Sequence, residues 1–117
     1  MTQVSKNFTA AEIACSHCHK LPKPELIAKL QQFRDAYGKP IKITSGYRCK
    51  EHNTAIGGAP NSKHVLGEAV DIACVDSAER YRLLKLAFQL GWGGIAYSKT
   101  FLHLDIRDSS VPASWVY

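Results

Sequence analysis

Between Pro24 and Gly38 the apolar side chains Leu26, Ile27, Leu30, Phe33 and Tyr37 recur at intervals of one to four, covering one face of a helix that packs on a core. Pro24 suits the first helical position, where no N–H is needed, and Gly38 ends the helix. Farther along, the repeat shortens to two. Residues 41–45, 67–74 and 101–107 alternate and read as strands, and residues 92–97 read as another with a glycine-softened start. In 67–74, Val70 and Ile72 point one way and Ala69, Asp71 and Ala73 the other. In 101–107, Leu102, Leu104 and Ile106 take the core face, while Phe101, His103, Asp105 and Arg107 take the opposite one. Thr9 and Glu12 form a capping-box pattern for a short helix to about residue 14, with Phe8 as its hydrophobic staple. Asp76 caps a third helix whose expected buried stripe is Tyr81, Leu83, Leu84, Ala87 and Phe88, ending at Gly91. Residues 51–55 read as a helical turn, 57–62 as a loop, and 108–117 as a tail over the sheet without regular structure. Helices first, then strands with a helix inserted, predict an α+β fold: a small antiparallel sheet with N-terminal helices and one inserted helix.

At 117 residues a single domain, 1–117, is expected, with a core large enough to need no obligatory staples. No apolar run is long enough for a membrane span. The first residues lack the apolar stretch of a signal peptide, so the expectation is that the protein stays in the cytoplasm or that something other than the general secretory route delivers it. The net charge of +5 favours an anionic partner. The basic residues are scattered, with no arginine-rich tract, so nucleic acid is not the expected one. A monomer is expected.

The candidate chemistry lies in the segment from Ser62 to Asp71 and in His103. An aspartate in mid-strand is disfavoured by propensity, so Asp71 needs solvent or a partner. Strands 67–74 and 101–107, side by side, place Asp71 and His103 on one open face, and the preceding loop can fold His64 over them. Two imidazoles and one carboxylate are a common donor set for a catalytic zinc, with the fourth position left to water. Gly67, Ala69 and Ala73 leave room for water and substrate.

Four cysteines are present: Cys15, Cys18, Cys49 and Cys74. Cys15 and Cys18 form a CxxC, which fits ordinary thiols, a redox pair, or part of a cross-link or second metal site completed by Cys49. Cys74, after an apolar run, reads as a small buried hydrophobe.

Ser62-x-His64-x-x-Gly67-x-Ala69-x-Asp71, followed by the strand bearing His103, resembles the D-alanyl-D-alanine carboxypeptidase family of zinc peptidases. That family includes phage endolysin peptidases and belongs with lysostaphin-type enzymes and the Hedgehog domain in one structural group. Ser45-Gly46-Tyr47-Arg48, His52-Asn53 and Gly57-Gly58 resemble its compact, single-domain branch. The similarity spans roughly residues 8–108. It implies one zinc ion per chain on His64, Asp71 and His103, and hydrolysis of peptidoglycan stem peptides by zinc-activated water. It implies that Arg48 binds a substrate carboxylate or the developing oxyanion, and that Ser62 lies at the substrate site or buttresses its loop. Relatives often carry a carboxylate or histidine two or three residues before the final zinc histidine as general base. Here those positions hold Phe101 and Thr100. Asp105 is the nearest alternative, either as base or as a group that orients His103; His52 is a weaker candidate for proton transfer.

Two rival readings accompany the peptidase. A zinc-containing wall-binding module without catalysis follows from the missing upstream base. A small metal- or redox-linked interaction protein follows from Cys15 and Cys18. The residues do not distinguish carboxypeptidase from endopeptidase.

Overall fold

The computed structural model describes residues 2–59 and 62–117; Pro60 and Asn61, within the expected loop 57–62, lie outside the described residues. Among the described residues four helices and five strands follow in the order α1 (Ala10–Ile13), α2 (Pro24–Tyr37), β1 (Ile43–Ser45), α3 (Lys50–Ala55), β2 (Ala69–Ala73), α4 (Ser77–Gln89), β3 (Gly94–Tyr97), β4 (Phe101–Asp105) and β5 (Ala113–Val116). The α+β expectation holds, and α2 starts at Pro24 and stops at a left-handed Gly38 as its sequence dictates.

The strands form one open sheet in the order β1-β2-β4-β3-β5. The first three pairings are antiparallel, and β5 runs parallel to β3. Two expectations are thereby corrected: the sheet is mixed, and the tail contributes a strand. Ala113 and Trp115 are half-buried and Ser114 and Val116 exposed, but Val116 is apolar and Pro112 precedes the run, so the sequence shows no clean period-two signal. At the sheet edge the proline precedes the ladder and costs it nothing.

One face of the sheet builds the core. Val70, Ile72, Ile95, Leu102 and Leu104 join Leu26, Leu30 and Phe33 of α2, Leu83 and Ala87 of α4, and Trp92 in a single buried cluster. The α4 stripe differs from expectation: Tyr81 is 69% and Phe88 61% exposed. At about 100° per residue, Tyr81 lies about 200° around the helix from Leu83, so both cannot face the sheet. The buried line runs through Leu83 and Ala87, with Leu86 and Leu90 packed against it. Cys74 is buried, as expected. Among the described residues no helix is long and apolar enough to cross a membrane.

Truncating Leu104, fully buried on the core face of β4, removes contacts within the hydrophobic cluster. Leu104→Ala is expected to cost about 2–5 kcal/mol, read as a lower midpoint in urea denaturation.

Candidate metal centre

The register of the sheet assembles the site. Asp71 on β2 lies directly across from His103 on β4, which lies across from Ala96 on β3, which pairs with Trp115 on β5. Directly opposed side chains on one face meet, and His103 Nδ1 sits 3.2 Å from Asp71 Oδ1. His64 arrives from a chain of tight turns. Its own N–H donates to Ser62 Oγ at 3.2 Å, and Gly67 N–H closes back on the His64 carbonyl at 3.2 Å. Gly67 has φ of 72°, a left-handed conformation that glycine adopts freely, and this turns the chain from the His64 loop into β2. His64 Nε2 then lies 3.1 Å from the same Asp71 oxygen, and the two imidazoles meet edge to face with centroids 5.2 Å apart.

The outward nitrogens decide what this convergence needs. His64 Nδ1 is 2.8 Å from the Gly46 carbonyl, which can only accept, so Nδ1 carries the proton. His103 Nε2 is 2.8 Å from Asp105 Oδ2, which is held ionised by Arg107, so Nε2 carries its proton too. In their neutral forms both rings therefore turn a lone pair toward the Asp71 carboxylate. Three electron-rich atoms meeting in a buried place call for a cation, either protons on the rings or a metal ion. Separations of 3.1 and 3.2 Å are close to the edge of about 3.4 Å that zinc bonds of ~2.1 Å give in a tetrahedron. The donor set therefore fits zinc. Burial pushes the Asp71 carboxyl up, but the adjoining imidazoles of His103 and His64 outweigh it and hold it at about 2. Burial works to lower the His103 imidazole, and the carboxylates of Asp105 and Asp71 outweigh it and raise it.

Asp105 stands behind His103 and is fully buried. Its Oδ1 accepts from Arg107 N at 3.2 Å and Nε at 2.8 Å; its Oδ2 accepts from Arg107 Nη2 at 2.7 Å and faces His103 Nε2. Burial alone would raise this carboxyl, but His103 and Arg107 hold it well below the usual carboxylate range. Gly94 pairs with Asp105 across β3 and β4, and a Cβ there would collide with the carboxylate. The glycine that softens the start of β3 therefore makes room for Asp105.

A pocket of about 640 Å³ opens beside His64 and His103. Arg48, Ser62 and Lys63 line it, with Trp115 and Tyr117 as an aromatic wall. Trp115 leans on His103, centroids 5.0 Å apart across the small Ala96, and Arg107 lies 5.1 Å over the indole. Arg48 Nε is buried and has no hydrogen-bond partner among the described residues, and its Nη1 reaches Asn53 Oδ1 only at 3.4 Å. His52 stands elsewhere, 3.4 Å from Ser16 Oγ. Sequence reasoning missed the pocket-lining roles of Arg107, Trp115 and Tyr117. Two aromatics spaced by two in the tail were the available signal.

A model of the family described as Peptidase M15 matches residues 2–105. The chain belongs to the M15 peptidase family. A curated relative, the zinc D-Ala-D-Ala carboxypeptidase of Streptomyces albus G, is 47% identical over 45 residues, which are 38% of this chain and 18% of that protein. The match thus spans less than a fifth of the relative's length. His64, Asp71 and His103 offer their ligand atoms within 4.8 Å of one another, a donor set that would fit a zinc ion.

Arg107 is the counter-charge to a carboxylate with no access to water. Arg107→Ala leaves that charge with His103 alone and is expected to cost about 3 kcal/mol. Arg107→Lys, which keeps the charge but loses the fork, is expected to fall between the two in thermal unfolding.

Proposed function

We propose that residues 1–117 form one zinc peptidase domain that hydrolyses peptide bonds in the stem peptides of bacterial peptidoglycan, of D-Ala-D-Ala carboxypeptidase or endopeptidase type. The convergence of His64, Asp71 and His103 beside an open, cationic pocket carries this reading. A closed structural site would instead fill every metal position with protein.

In this reading His64 Nε2, an Asp71 oxygen and His103 Nδ1 hold the ion. Zinc held there supplies Lewis acidity, acidifying water and polarising the scissile carbonyl. The chain's own residues do the rest. The Gly46 carbonyl and the Asp105 carboxylate each fix one imidazole in the tautomer that frees its inner nitrogen. Asp105 acts by orienting His103, because both its oxygens are already occupied and none faces the pocket. Arg48, whose buried Nε–H has no acceptor among the described residues, offers that donor to a substrate carboxylate or to the oxyanion. Ser62 holds the His64 loop from the pocket wall. Free carboxylates on stem peptides suit a pocket lined by Arg48 and Lys63.

One observation favours a second reading, a zinc-bearing wall-binding module. Apart from the proposed ligands, the described pocket lining holds neither a carboxylate nor a histidine to carry a proton.

Mass spectrometry of purified muropeptides after incubation separates the two and identifies the bond. Cleavage is expected, abolished by chelation and by His64→Ala or His103→Ala; intact muropeptides alongside retained wall binding would favour the module. Arg48→Ala is expected to lower kcat/KM about 10²–10³-fold, as loss of an oxyanion donor does, with zinc content unchanged.

A further inference from the structure

The catalytic reading leaves a second donor cluster unused. Cys15, Cys18 and Cys49 bring their sulfurs within 4.8 Å of one another, and all are free thiols. Tetrahedral zinc–sulfur bonds of ~2.3 Å separate sulfurs by about 3.8 Å, so the three are gathered at close to ligand spacing. The three sulfurs alone converge to within 4.8 Å; His17 stands next to them, its Nδ1 3.2 Å from Cys49 Sγ, as the neighbouring candidate for a fourth donor.

The backbone is arranged to stabilise negative sulfur. Cys49 N–H points to Cys15 Sγ at 3.3 Å, and His52 N–H to Cys49 Sγ at 3.4 Å. The loop is shaped for the purpose as well. Cys15 N–H bonds the Lys20 carbonyl at 2.9 Å and His19 N–H bonds the Cys15 carbonyl at 2.8 Å. His19 takes a left-handed φ of 61°, unusual for a residue with a side chain. A disulfide would use two of the three sulfurs and leave His17 without a role. A metal ion uses all four donors.

We propose that Cys15, Cys18, Cys49 and His17 bind a second zinc ion, a closed structural site distinct from the His64–Asp71–His103 centre. It ties the loop after α1 to the N-cap of α3, because Cys49 is that cap. The segment it secures is the one that serves the first site. Gly46 presents its carbonyl to His64, Tyr47 N–H bonds the Ile13 carbonyl at 2.9 Å, and Arg48 N–H bonds the His64 carbonyl at 3.2 Å. The second ion thus braces the ring orientation of His64 and the placement of Arg48 without touching substrate. This inference stands whether or not the first site is catalytic.

The test uses the full chain, purified under reducing conditions without a metal-affinity tag. Zinc content by native mass spectrometry is expected to fall by one ion in His64→Ala/His103→Ala and by one in Cys18→Ser/Cys49→Ser. Cobalt loaded into the His64→Ala/His103→Ala protein is expected to show sulfur-to-metal charge-transfer absorption, and a mercurial thiol reagent to release that protein's remaining zinc. Should the cysteine variant fail to fold, the cobalt and mercurial measurements decide alone. Retained cluster zinc is further expected to slow amide exchange across residues 46–49 relative to the mercurial-treated protein. A His64→Ala/His103→Ala protein with no zinc and no sulfur charge transfer would overturn the proposal. So would a native mass two hydrogens light, which marks a disulfide.

Discussion

One rung across the sheet, Asp71 to His103 to Ala96 to Trp115, determines what the open face can do. Antiparallel pairing places the carboxylate against the imidazole without help from any loop. The small Ala96 then lets the indole rest on the outer side of His103. A slip of one residue in either strand would turn Asp71 or His103 into the apolar core and destroy both at once. The buried side chains of Val70, Ile72, Leu102 and Leu104 resist such a slip, so the hydrophobic layer holds the polar one in register.

Around that rung the protein solves an electrostatic problem in stages. Asp71 collects two ring nitrogens, and each ring is backed by an acceptor that dictates its proton. Asp105, the more deeply buried acid, is neutralised in turn by a guanidinium that reaches toward the surface. Charge is thus relayed from the interior of the sheet to Arg107 and the pocket wall. The basic balance of the chain has a local expression here, in Arg48, Lys63 and Arg107 around a single opening.

Much of this was legible in the residues. The period-two alternation around Asp71 and His103 gave their shared face, and the Pro24–Gly38 punctuation gave α2 to the residue. The motif from Ser62 to Asp71 pointed to the family that the comparison shows. Other features were hidden for physical reasons. The roles of Asp105 depend on where Arg107 folds, a side-chain rotamer that no alternation encodes. The strand at 113–116 is short and follows a proline, so its pattern is too brief to stand out from a tail. On α4, Tyr81 and Phe88 are as apolar as their buried neighbours, and only the phase of the helix against the sheet tells them apart.

The parallel edge strand has a consequence for motion. Among the described residues β5 pairs with β3 alone, at the margin farthest from β1, and contributes none of the metal-site donors. Edge segments with few buried apolar contacts are the first to open by local unfolding. Detachment of β5 would remove Trp115 and Tyr117 from the pocket rim while β2 and β4 stayed zipped. Breathing of the entrance and integrity of the donor cluster are therefore separate degrees of freedom, and the opening can widen without loosening the centre.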